Sequence, residues 1–218
     1  VEIIWLGNHM NGGSKYLAYI TGMSDVLCKV ITVLAFAVYV FIGGYLAVVV
    51  TDAVQFCVIV AGFALIAIKA IPAAGGYANI AATFESVGKP GAMGFYGLAQ
   101  YGLMPAIALV LSTYMGVIGT PTHRTRIYTS ANEGTARKAF LSSGIMLFFW
   151  SFVTAIIGMS AFTIANGQGV TLESADYAFS FMATHVLGPV FGLVLMIAGL
   201  SATMSSGDSD AISGITIL

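Results

Sequence analysis

Residues 201–210 read SATMSSGDSD and close an apolar run that begins near Val186. Two adjacent hydroxyls, Ser205 and Ser206, precede two carboxylates, Asp208 and Asp210, in a stretch that otherwise has the composition of a lipid-spanning helix. In a helix, Ala202, Ser205 and Ser206 stand at i, i+3 and i+4 and project from one face. A hydroxyl, or a backbone carbonyl beside it, is a hard oxygen donor without charge, the kind that satisfies a small hard cation such as sodium. Neutral donors also keep the affinity moderate, so that the ion can leave again. The alternative is structural: each hydroxyl bonds back to a carbonyl one turn earlier. Spacing alone leaves both readings open.

Composition places the stretch in a membrane. Of the 218 residues 58% are hydrophobic and only 8% charged, against roughly 25% charged in soluble domains. That is too little charge to cover a water-facing surface. The fold class is therefore all-α, a polytopic transmembrane helical bundle. A net charge of -1 gives nucleic acid no foothold as a partner. Cys28 and Cys57 fall inside apolar runs and read as small hydrophobes. His9, His123 and His185 are far apart in sequence and read as interfacial residues.

Five stretches are long enough to cross about 30 Å of hydrocarbon: about 26–42, 46–71, 98–119, 139–165, and 186–206 and beyond. Residues 1–6 read as the close of a sixth, truncated helix, and a short interfacial helix is expected at 77–84. Both ends are still apolar, "VEIIWLG" and "ISGITIL". The expectation is thus a single transmembrane domain over 1–218, incomplete at both ends. The loop "THRTRIYTSANEGTARKA" carries Arg124, Arg126, Arg137 and Lys138 against one Glu133. The positive-inside rule puts it in the cytoplasm. Counting spans, the turn at Gly43 and Gly44 is also inside, and Ser205 and Ser206 fall in the inner half of the last span.

Two further stretches carry chemistry. In "YVFIGGYLAVVVTDAVQF", residues 39–56, Gly43 and Gly44 break the helix and Asp52 shares a face with Gln55. An ionisable group inside a span is a functional candidate; equally, a carboxylate near a helix start offsets the dipole. In "STYMGVIGTPTHRTRIYTSANEGTARKA", residues 112–139, Gly116, Gly119 and Pro121 interrupt the third span. Backbone freed at membrane depth must line a cavity or meet protein, as in many transporter sites; a plain helix end gives the same pattern.

These three stretches together resemble the sodium:solute symporter family. "GGYLAVVVTDAVQ" is similar to that family's Gly-Gly…Ala-Val…Thr-Asp-x-x-Gln signature. "GTPTHRTR" is similar to its Gly-x-Pro with Arg five residues after the proline, and "ATMSSGDS" to its Ala-x-x-Met-Ser-(Ser/Thr)-x-Asp-Ser. The order and approximate spacing match over most of the chain. The resemblance implies part of a five-plus-five inverted-repeat (LeuT-like) core, with the five spans as core helices four to eight. It implies a transporter coupling sodium influx to uptake of a small solute by alternating access, in a plasma (bacterial inner) membrane. Sodium would sit on the Ala202 carbonyl and the Ser205 and Ser206 hydroxyls, against helices outside this stretch. Asp52 would help pass the ion to the cytoplasm and Asp208 would support its site. Thr113 and Gly116 would face the solute, and Arg126 would tie into an inner gate.

Two residues depart from the family pattern: Arg124 adds a positive charge and Asp210 adds a carboxylate. The third-span positions that bind sugar in the family's sugar carriers are not matched by polar amides or aromatics here, so the resemblance points to a carboxylate, an amino acid or a vitamin-like solute rather than a sugar. Rival readings are a solute-binding sensor or channel without coupled transport, and an intramembrane aspartyl protease using Asp208 with Asp52.

Overall fold

The computed structural model describes residues 2–94, 102–172 and 174–215. These form α1 (Glu2–Thr21), α2 (Asp25–Ala73), α3 (Tyr77–Ser86), α4 (Leu103–Gly119), α5 (Pro121–Tyr128), α6 (Glu133–Gly167), α7 (Ala178–Leu187) and α8 (Pro189–Ile215). Single 3-10 turns precede α4 and α7, at Pro90–Met93 and Ala175–Tyr177. No strand occurs among the described residues. Asp25–Gly43, Val48–Ala73, Glu133–Gly167 and Pro189–Gly214 are each long and apolar enough to span a bilayer. A fifth span is possible if α4 and α5, bent by 50° at Thr120, are taken together. The chain is thus a polytopic, all-helical integral membrane protein.

Helical conformation continues through Gly43 and Gly44, yet the chain doubles back there. Thr32 packs at Gly13, which also meets Leu200 and Thr203, whereas Gly62 packs on Leu195. A straight helix would hold residues 32 and 62 about 45 Å apart. Their α8 partners are separated by at most eight residues, about 12 Å. The first half of α2 therefore runs parallel to α8 and the second half antiparallel. The bend lies between the spans Asp25–Gly43 and Val48–Ala73, where the glycine pair had marked a turn.

Three elements differ from their sequence-based expectation. The helix expected to end near residue 6 continues to Thr21. Asn8, His9, Asn11 and Lys15 dilute its apolar pattern, but it lies along α8, with Tyr16 against Gly199 and His9 near Gly207. α6 begins well before residue 139 because Asn132 caps it: the Asn132 side chain accepts from the Thr135 amide at 2.8 Å, and Glu133 faces the positive helix end. The last span is entered by an elbow. Gly188, at φ +75°, separates α7 from α8, and Pro189 takes the first position of α8, where its missing N–H is no loss. The first turn expected at 98–101, and residues 216–218, lie outside the described residues.

An apolar core fills one end of the bundle. Ile66 and Ala70 of α2, Ile157 and Ala161 of α6, Met182 of α7 and Met196 of α8 are buried together. Phe179 joins them, stacked on Phe63 at 4.4 Å and edge-on to Tyr16 at 5.8 Å. At this end Asp25 pairs with Lys29 at 2.6 Å and with Lys15 at 3.3 Å. The opposite end, with the α2 bend, α5 and the second half of α8, is polar.

Candidate functional site

The polar end is assembled by three helices whose contacts are far apart in sequence. On α5, Thr122 and Arg126 are four residues apart and share a face. On α8, Ser205 and Ser209 do the same, with Asp210 alongside. On α2, Asp52 follows the bend by one turn. Arg126 Nη2 donates to Asp52 Oδ2 at 3.0 Å and to Ser209 Oγ at 2.6 Å. The Ser205 hydroxyl donates to Asp52 Oδ1. Asp52 thus receives an ion pair from α5 and a hydroxyl from α8. Gln55, one turn further along α2, has a buried Oε1 with no hydrogen-bond partner among the described residues.

Beside this network lies a second one. Thr122 Oγ1 donates to Asp210 Oδ1 at 2.9 Å, and His9 Nε2 of α1 stands 3.3 Å from Asp210 Oδ2. The Trp5 ring stacks on His9, centroids 6.4 Å apart. Both networks border one cavity of about 590 Å³. Its walls are Trp5 and His9 from α1, Ser112, Thr113, Gly116 and Val117 from α4, and Ser205, Ser206, Ser209 and Asp210 from α8. Thr120, Thr122, His123 and Arg126 close the end at the α4–α5 bend.

Of the residues singled out in sequence, Ser205, Ser206, Thr113, Gly116 and Arg126 therefore meet at one cavity. Ala202 is half-buried and is not part of the lining. Asp52 reaches the lining only through Arg126 and Ser205. Asp208 is fully buried within α8, away from the cavity wall. Ser205 is bonded to Asp52, whereas Ser206 is exposed. On α4, the Ser112 and Thr113 hydroxyls donate to the Leu109 carbonyl at 2.9 and 2.8 Å. Their protons are committed, and their oxygens remain as acceptors. Arg124, the extra cation, donates to the Ile118 carbonyl at 3.2 Å and closes the end of α4.

Sequence reasoning missed Trp5, His9 and Thr122. His9, read as interfacial, sits inside α1 and bonds across to α8. The available signal was a histidine between two asparagines, "NHMN", following the apolar start of the helix. Asp210, noted only as a departure, is the residue that joins α1, α5 and α8.

The family model for the sodium:solute symporter family matches residues 3–218. A sodium/pantothenate symporter of Haemophilus influenzae is 24% identical over 216 residues, which cover 94% of this chain and 42% of that relative. The chain thus spans less than half the length of that curated relative. No solved structure matches it. With the Gly-Gly, Gly-x-Pro and Ser-Ser stretches in family order and their side chains gathered at one end of a helical bundle, the chain belongs to the sodium:solute symporter family.

Proposed function

We propose that the protein containing this chain carries sodium and a small solute inward together by alternating access. The observation that carries the reading is the convergence of Ser205, Ser206, Thr113 and Gly116 on one cavity, with Arg126 fastened across its end. Sodium is held by the Ala202 carbonyl and the Ser205 and Ser206 hydroxyls, against helices outside the 218 residues. The Ser205 proton is committed to Asp52, which leaves the oxygen lone pairs for the ion. Asp52 then receives sodium on its way to the cytoplasm, and Asp208 supports the site from within α8. Thr113 and Gly116 face the solute. Arg126, bonded to α2 and α8 at once, is the inner gate.

The energetics suffice. One charge crossing 100 mV releases about 2.3 kcal/mol, and a tenfold solute gradient costs about 1.4 kcal/mol. The ion must favour one face of the carrier over the other, since a ligand shifts an equilibrium only by its differential affinity.

The solute is a small carboxylate or vitamin-like molecule. Arg126, His9 and His123 line the cavity, and Asp210, the only carboxylate on the wall among the described residues, is already bonded on both oxygens. Pantothenate, named for the relative, heads the panel to be tried. The membrane is the plasma, or bacterial inner, membrane. The test is uptake by the full-length carrier in proteoliposomes under an imposed sodium gradient, with pantothenate, other small carboxylates and amino acids. Replacing Ser205 and Ser206 by Ala is expected to raise the sodium concentration for half-maximal uptake about tenfold or more. Equal uptake in sodium-free medium overturns symport and leaves a channel, whereas no uptake with or without sodium leaves a sensor.

A further inference from the structure

The inner end of the cavity is held by more than Arg126. α4 packs sparsely on the other described helices and has no buried residue. What ties it to the bundle is α5, joined to it through the extended backbone of Thr120. α5 in turn is attached at two points of one face. Arg126 grips Asp52 and Ser209, and Thr122, one turn earlier, grips Asp210. Asp210 is nearly buried, and His9 of α1 takes its other oxygen. α1 and α8 lie along each other, so His9 and Asp210 remain together whichever way α5 moves. A helix held at one point pivots; held at two, it cannot.

We propose that Thr122–Asp210, with His9 aiming the carboxylate, is a second clamp on the inner gate, and that α4 and α5 swing away from α8 as one unit when both clamps release. This rests on the alternating-access reading above, and goes beyond it by giving Thr122, Asp210 and His9 a part in closing the cavity. In the clamp His9 is a positioning residue: it holds Asp210 Oδ2 so that Oδ1 meets Thr122.

The test uses the full-length carrier in inside-out vesicles, with Cys57 replaced by Ala and S112C on the cavity wall as a reporter. A membrane-impermeant thiol reagent is applied from the cytoplasmic side without sodium. Thr122→Val keeps the shape and removes the donor. It is expected to speed labelling of the reporter on the order of tenfold, the size that a hydrogen bond to a charged group supports. Thr122→Ser, which keeps the hydroxyl, is expected to restore the slow rate. Asp210→Ala, which removes the His9 contact as well, is expected to speed labelling at least as much as Thr122→Val, and the pair together to be no faster than Asp210→Ala alone, because the Thr122–Asp210 bond is then already lost. An unchanged rate in Thr122→Val, a serine that rescues no better than valine, or additive effects in the pair each overturn the clamp. If Thr122→Val does not reach the membrane, His9→Leu serves instead: faster labelling supports the clamp, and none overturns it. Sodium-independent uptake by the unaltered carrier would strike the symport reading alone. Sodium-dependent uptake with unchanged labelling would strike the clamp alone.

Discussion

Arg126 shows how much one side chain can hold when its geometry is shared. Its Nη2 serves a carboxylate on α2 and a hydroxyl on α8, so one guanidinium closes the gap between two spans. Asp52 is 18% exposed and the guanidinium 40%, so solvent screens the pair but does not erase it. Removing the cation alone leaves Asp52 with only the Ser205 hydroxyl, and stranding one partner costs more than losing both. Arg126→Ala is therefore expected to destabilise the full-length carrier by about 1–2 kcal/mol. Arg126→Ala with Asp52→Ala is expected to recover most of that loss. Thermal midpoints in detergent measure it, and a double variant less stable than the single would show that Asp52 does not depend on Arg126. At this scale the motifs made Asp52, Arg126, Ser205 and Ser206 legible. Thr122, His9 and Asp210 were not, because their bonds join residues 88 and roughly 200 positions apart, and nothing in local spacing encodes a meeting across three helices.

The helices tell a similar story about what a pattern can and cannot convey. Long apolar runs were legible as spans because lipid leaves the backbone no partner but its own turns. α1 was not, since Asn8, His9, Asn11 and Lys15 read as a loop when their neighbours on α8 are unseen. The elbow between α7 and α8 was hidden by hydropathy, which continues unbroken from Val186 across Gly188 and Pro189. The packing there is close: a Cβ on Gly192 would lie 2.7 Å from the Ala183 carbonyl oxygen of α7. That oxygen is backbone and cannot step aside without moving the elbow. Gly192→Ala is accordingly expected to cost about 1–3 kcal/mol by overpacking, whatever it gains in helix propensity. Gly144→Ala on α6, where nothing lies within 4 Å, is expected to be neutral or slightly stabilising. Unfolding of the full-length carrier in detergent measures both; equal effects would mean that the elbow yields.

Across the molecule, the two ends differ in how they hold charge rather than in how much. Lys15, Lys29, Lys69 and Lys89 belong to the apolar-core end, and Arg124, Arg126, Arg137 and Lys138 to the other. The four lysines are scattered over two helices and a loop, and two of them share Asp25. The other four fall within one short stretch around the α5–α6 connection, opposed there by Glu133 alone. Orientation is set by Lys and Arg near short loops rather than by net charge, so the compact cluster decides. By that rule residues 129–132 are expected in the cytoplasm and the α6 terminus near Gln168 outside. Both positions are exposed, which makes the assignment open to chemistry. In intact cells carrying the full-length protein with Cys57→Ala, A131C is expected to resist a membrane-impermeant thiol reagent and Q168C to react. In inside-out vesicles the two are expected to exchange behaviour. The inverse result would put the Arg126 clamp on the outer face and turn the proposed inner gate into an outer one, because the cavity's polar end and the α5 cluster are one and the same end of the bundle.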